Sequence, residues 1–188
     1  MIDTDILLKA YKLMCTAKAM ADTYEDNRQI CKYVHSTSRG HEAIQLATAF
    51  QLLPCDYVSP YYRDESMLLG LGFSPYELML QLLAKGNDMF TGGREYYSHP
   101  NYKGADKPGI IHQSSATGMQ VIPTTGIAQG IKFLETTDNG QRQWPVVRRP
   151  SSNRHLFSRR CICYRRRSKR SISVCCTASA THYLFSAG

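Results

Sequence analysis

After Asp138 the chain carries no carboxylate side chain at all, through to Gly188. Residues 1–140 hold 12 Lys/Arg and 15 Asp/Glu, a net charge of −3, whereas residues 141–188 hold 11 Lys/Arg and no acid, a net charge of +11. A folding unit interleaves both signs over its surface, so this break confines the domain to residues 1–140. Residues 141–188 are left as a separate basic, Cys-containing tail. The whole-chain charge of +8, taken as one number, would point to nucleic acid or an acidic membrane. The body alone supports neither, and about 140 residues suffice for one domain with a sizeable core.

Cysteine divides the same way. Cys15, Cys31 and Cys55 are scattered through the body, while Cys161, Cys163, Cys175 and Cys176 crowd the tail. The dispersed three read as small buried hydrophobes in a reducing compartment, not as a disulfide framework. The opening "MIDTDILLKAYKLM" places Asp3 and Asp5 where a secretory signal is basic. No run approaches the roughly 18 apolar residues of a membrane span. The expectation is a soluble, cytoplasmic body.

Apolar spacing predicts four helices. Ile6, Leu7, Ala10, Tyr11, Met14 and Cys15 mark residues 5–24, with Thr4 available as N-cap. Ala43, Ile44, Leu46, Ala47, Phe50 and Leu53 mark residues 39–53. The third, over 75–85, has a strong start: Ser74 can cap, Pro75 fits the first turn and Glu77 completes a capping box. The fourth, about 123–136, runs through Ile127, Ile131, Phe133 and Leu134. Between the second and third, "PCDYVSPYYRDE" reads as a loop or a brief strand ending in a loop. From Gly86 to Gly118 the chain is rich in Gly, Tyr, His and Pro and shows no period, the profile of a functional or a disordered segment. Its tyrosines, histidines and Ile110-Ile111 favour the former.

Several short strings carry chemistry. "YYRDES" sets Arg63 beside Tyr62 just before a helix start, where a guanidinium fork and free backbone N–H groups can converge on a phosphate. The same six residues also describe an ordinary surface arginine before an Asp64 N-cap, the plainer reading of the string alone. "TGGRE" is an anion-binding nest or a plain glycine turn. His99 and His112 can titrate or bond within the irregular segment, or simply be solvated. "HQSSATGMQ" gathers Ser114, Ser115, Thr117 and Gln120, either lining a polar pocket or satisfying loop backbone. No metal-ligand spacing, Walker motif or dinucleotide glycine fingerprint occurs in the body.

In order and spacing, "SRGHEAIQLATAFQLL", "DYVSPYYRDESMLLGLGFSPYELMLQLLAKGNDMFTGGREYYSH" and "HQSSATGMQVIPTTGIAQGIKFLE" resemble one family over residues 1–140. It is the alpha subunit of the first, decarboxylating component of 2-oxo-acid dehydrogenase complexes. The branched-chain (2-oxoisovalerate) type is nearest, including forms that fuse alpha and beta halves. The resemblance implies an α/β fold: the N-terminal portion of a thiamine-diphosphate-binding domain, a parallel sheet flanked by helices. It implies thiamine diphosphate and magnesium held against a beta-type subunit, a 2-oxo acid substrate, and acyl transfer to a lipoyl-bearing second component. Tyr62 and Arg63 match the pair contacting the diphosphate, and Ser115 and Thr117 match contacts to the aminopyrimidine. Ser114 and Gln120 fall where some members hold structural potassium, although "SSATGMQ" replaces a proline-containing string there. The family's "GDG"-like magnesium motif, the asparagine following it and the histidine assisting acyl transfer are all missing from this chain.

The tail string "CICYRRRSKRSISVCC" allows four readings. As a zinc site it lacks the usual ligand intervals. As a nucleic-acid arm, "YRRRSKR" offers basic groups that bind phosphate without sequence preference. As a plain charge run it stays solvated and unstructured. The fourth reading uses the genetic code. Codons chosen for Arg160 to Ser173 yield DASVTEGEVKEAF when read one nucleotide later, and the remainder to Gly188 follows suit without a stop. That string is what the family carries at this point, so residues 141–188 read as an out-of-frame continuation. The expectation is a truncated, catalytically incompetent member whose helices expose core faces. The alternatives are a basic-tailed nucleic-acid-binding protein, or a fragment that only pairs with a beta-type subunit.

Overall fold

The computed structural model describes residues 3–31, 34, 37–111, 116, 119–137, 160–167 and 170–177, with backbone alone for 132–137 and for the two tail stretches. Helix α1 spans Thr4–Asp26, and Asp3 caps it in place of Thr4: its Oδ1 accepts the Asp5 N–H at 3.1 Å. The periodicity that marks this helix runs past its burial. Ile6, Leu7, Leu8, Tyr11 and Cys15 are exposed, while Ala17, Met20, Ala21 and Tyr24 in the second half face the core. Of the three body cysteines, Cys31 alone is buried, Cys55 is half-buried, and the expectation of burial fails at Cys15.

Helix α2, Glu42–Ala49, is shorter than the predicted 39–53. It closes where Gln51 N–H bonds back to the Thr48 carbonyl, a tightened last turn that Pro54 forbids from continuing. Its buried face is Gln45, Leu46 and Ala49, and Ala43, Ile44, Ala47 and Leu53 point outward. Helix α3, Glu65–Gly70, packs so closely on α2 that a Cβ on Gly70 would lie 2.6 Å from Ala49 Cβ. Helix α4, Pro75–Leu82, starts as its sequence dictates. Ser74 Oγ accepts the Glu77 N–H at 3.3 Å and Glu77 Oε2 accepts the Ser74 N–H at 2.6 Å. Helix α5 spans Val121–Thr137.

Strand β1, Tyr57–Ser59, is the brief strand foreseen in "PCDYVSPYYRDE". It pairs in parallel with β2, Gly109–Ile110, in the register Val58↔Ile110. On its other edge it pairs in parallel with β3, Arg160–Arg167, which turns back antiparallel into β4, Arg170–Thr177. The sheet order is β2-β1-β3-β4. The rest of residues 138–188 lies outside the described residues, whereas these two stretches of the tail, expected to be unstructured, are described as strands. Ile, Val, Tyr and Cys punctuate the arginines there, and such residues suit a pleated surface beside an open edge such as that of β1.

Val58 of β1, Ile110 of β2, and Met67 and Leu68 of α3 are almost wholly enclosed. Each such side chain contributes roughly 1.5–3 kcal/mol by leaving water. Phe73 meets Phe90 and Tyr102 edge-on, with centroids 5.1 and 5.2 Å apart. No helix among the described residues is long and apolar enough to cross a membrane.

Candidate functional site

The loop Pro60 to Asp64 leaves the C-terminal end of β1 and feeds α3, and its shape is set by buried polar groups. Asp64 makes no N-cap bond. Its Oδ2 accepts the Tyr61 N–H at 2.8 Å and its Oδ1 accepts Gln45 Nε2 of α2 at 2.9 Å. Gln45 also reaches the Arg63 carbonyl at 3.3 Å, and Ser38 Oγ donates to the same carbonyl at 3.2 Å while accepting the Ser66 N–H at 2.9 Å. Two side chains from separate segments, Ser38 and Gln45, therefore hold the Arg63 carbonyl.

Among the described residues, the side chain of Arg63 is gripped by aromatics. Its Nη2 donates to Tyr62 OH at 2.8 Å, and its guanidinium lies 5.1 Å from the Tyr62 ring centroid and 5.7 Å from that of Tyr61. Arg63 Nε is buried with no hydrogen-bond partner, and no carboxylate pairs with this guanidinium among the described residues. A half-buried cation backed by electron-rich ring faces, with donors unmet among the described residues, has the chemistry to accept an oxyanion.

His99 belongs to this arrangement, and nothing in its local sequence distinguished it from a solvated histidine. It is 3% exposed and stacks on Tyr62 with centroids 6.3 Å apart and planes at 10°. Its Nδ1 donates to the Tyr97 carbonyl at 2.7 Å, since a carbonyl can only accept. Gln45 and Ser38 were likewise unforeseen. The one available signal was a glutamine breaking an otherwise apolar helix face.

Beneath the loop lies Glu65, 2% exposed, whose Oε1 accepts Tyr24 OH at 2.7 Å and Tyr97 OH at 2.9 Å. Burial pushes this carboxyl above its ordinary range, against the opposing pull of the two tyrosine hydroxyls. Tyr24 and Tyr97 are themselves raised, by burial first and by the neighbouring carboxyl second.

The other sequence candidates divide. The "TGGRE" turn takes no outside anion, because Asp88 fills it. Asp88 Oδ1 accepts the Phe90 N–H, and Oδ2 accepts the Thr91 and Gly93 N–H groups at 3.1 and 3.2 Å and the Thr91 hydroxyl at 2.6 Å. Gln120 is buried at the start of α5, its carbonyl accepting the Thr124 N–H and hydroxyl. His112, Ser114, Ser115 and Thr117 lie outside the described residues. Among the described residues no group of three or more His, Cys, Asp or Glu side chains could hold a metal ion.

Residues 11–142 match the family model of the dehydrogenase E1 component, a span that contains Tyr62, Arg63 and His99. The 2-oxoisovalerate dehydrogenase subunit alpha of Bacillus subtilis (strain 168) is 40% identical over 91 residues, covering 48% of this chain and 27% of that protein. The mitochondrial 2-oxoisovalerate dehydrogenase subunit alpha 2 of Arabidopsis thaliana is 30% identical over 133 residues, 70% of this chain and 27% of its own length. The pyruvate dehydrogenase E1 component subunit alpha of Bacillus subtilis (strain 168) is 30% identical over 109 residues, 56% of this chain and 25% of its own. The chain thus spans about a quarter of the length of these curated relatives. With well over half its residues inside the family match, and the loop that carries Arg63 among them, the chain belongs to the dehydrogenase E1 component family.

Proposed function

We propose that this chain is the N-terminal part of an alpha-type first component of a 2-oxo-acid dehydrogenase complex, and that Tyr62 and Arg63 hold the diphosphate of thiamine diphosphate. The observation that carries this reading is the Arg63 guanidinium at the end of β1, which among the described residues has no carboxylate partner and whose buried Nε makes no hydrogen bond there. The end of a parallel strand leading into a helix is where α/β folds place phosphates. When bound, the coenzyme supplies a carbanion that attacks the keto carbon of a 2-oxo acid, by names of relatives a branched-chain one or pyruvate. This chain's own contribution is to hold the phosphate end and orient it, with Ser115 and Thr117 assigned to the aminopyrimidine and Ser114 and Gln120 to potassium. The carboxylate set for magnesium is not among these residues, and no step is assigned to that ion.

On this reading the domain covers 1–140 and the acyl acceptor is the lipoyl group of a second component, with a beta-type subunit completing the site in the cytoplasm. Residues 143–188 lie outside the family match, which supports their being the family gene read out of frame. The chain by itself is then catalytically incompetent. Isothermal titration of the 188-residue chain with inorganic pyrophosphate tests the site: binding is expected for the unaltered chain and lost in Arg63→Ala. Equal binding by both would remove the assignment. Titration with thiamine diphosphate plus magnesium tests incompetence, and micromolar, magnesium-dependent binding would overturn it.

A further inference from the structure

We infer that Glu65 is a positioning residue of the Tyr62–Arg63 site, holding the segment 97–99 so that His99 stays stacked on Tyr62. The inference rests on reading that loop as a phosphate-holding site, and it deepens the reading by adding a residue that touches no ligand.

A carboxyl is a costly choice at this position. It is buried in the core without a cation, and its Oε2 has no partner among the described residues. Packing alone would be met by leucine or methionine. What a carboxyl adds is one oxygen, Oε1, able to accept two hydroxyls at once, from residues 41 and 32 positions away in sequence. Tyr24 anchors it to α1 and Tyr97 hangs from it.

Tyr97 then transmits the constraint. Its hydroxyl is fixed at Glu65, its ring stands edge-on to Tyr24 with planes at 78°, and its carbonyl takes the His99 Nδ1–H. That bond requires a proton on Nδ1 and aims the ring. The ring lies almost parallel to Tyr62, and Tyr62 OH accepts from Arg63. The line Tyr24, Glu65, Tyr97, His99, Tyr62, Arg63 is thus continuous, and each link is a hydrogen bond or a ring contact. Removing Glu65 would free the Tyr97 hydroxyl and loosen the carbonyl that accepts the His99 Nδ1–H.

The test compares the 188-residue chain with Glu65→Gln, Glu65→Ala, Tyr97→Phe and the remote control Tyr102→Phe. The readouts are the ring 15N resonances of His99, assigned against His99→Gln, and the affinity for inorganic pyrophosphate. Glu65→Ala and Tyr97→Phe are expected to lose the Nδ1-protonated signature and about tenfold in affinity, the scale of one cut link in a buried network. Glu65→Gln should rescue both, since an amide oxygen accepts the same two hydroxyls, and Tyr102→Phe should change neither. His99 resonances unmoved in Tyr97→Phe, with pyrophosphate still bound, would overturn the role of Glu65 and leave the site standing. An unaltered chain that fails to bind pyrophosphate would overturn the site itself.

Discussion

Gly70→Ala sets two effects of opposite sign against each other at the contact between α2 and α3. Alanine favours a helix over glycine by up to about 1 kcal/mol, less at the last residue of α3 than in a helix interior. Against this, the new methyl would lie 2.6 Å from Ala49 Cβ and 3.1 Å from Leu46 Cδ2. Leu46 can swing its terminal methyl aside, but Ala49 Cβ is fixed to backbone and α2 itself must shift. Overpacking of that kind costs roughly 1–3 kcal/mol, so the steric term wins by about 1 kcal/mol. A loss of that size lowers the melting midpoint by about 3–5 °C for a domain of this length. Denaturant melts of the single variant, of Ala49→Gly and of the double variant provide the assay. The double should be more stable than the two single losses sum to, because removing the Ala49 methyl opens the space that the methyl added at position 70 needs. A Gly70→Ala chain as stable as its parent, or strict additivity in the cycle, would refute the close approach of the two helices.

Three further outcomes follow from the polar groups. Burial lifts the Glu65 carboxyl above its usual 4.5, so the folded chain keeps a proton that the unfolded chain releases. Stability should therefore be greatest below about that pH and decline as pH rises through the folded value, and urea midpoints of Glu65→Gln should lack the decline. Ser74→Ala removes the Oγ that accepts the Glu77 N–H and should cost about 1 kcal/mol, with Ser74→Gly costing less, read from urea midpoints. Asp88→Ala leaves the N–H groups of Phe90, Thr91 and Gly93 without their shared acceptor, a loss of roughly 1–3 kcal/mol visible as faster amide exchange across residues 88–93.

Local chemistry was legible in the sequence, and long-range chemistry was not. The start of α4 needs only Ser74, Pro75 and Glu77, and it formed as spacing dictates. Tyr62 and Arg63 could be singled out from the helix start that follows them and from the family resemblance, whereas the six residues alone also describe a plain surface arginine. Helix faces were harder. The stripes at Ile6 to Cys15 and Ala43 to Leu53 are periodic, yet only the portions against α3 are covered, so Gln45 is buried while Ile44 is 41% exposed. Asp64 was read as a cap for its own helix, and the structure directs its oxygens to Tyr61 and Gln45 instead. His99, Ser38 and Gln45 act across gaps that no local pattern spans. The glycine turn allowed two meanings, and only the geometry of Asp88 decided between them.

The parallel pairing of β1 with β2 sets an order of events during folding. Residues 46, 49 and 70 meet across a short stretch of chain, so α2 and α3 can dock early. Val58 must wait for Ile110, because a parallel pair requires the whole intervening crossover to be made first. Until Ile110 arrives, Val58 lacks the strand neighbour beside which it is enclosed in the folded chain. A three-residue strand that pairs late is also a selective gate: whichever extended segment arrives first on its other edge becomes the neighbour. In this chain that neighbour is β3, the first strand of the basic hairpin, more than a hundred residues further along the chain, so its pairing closes the longest loop in the sheet.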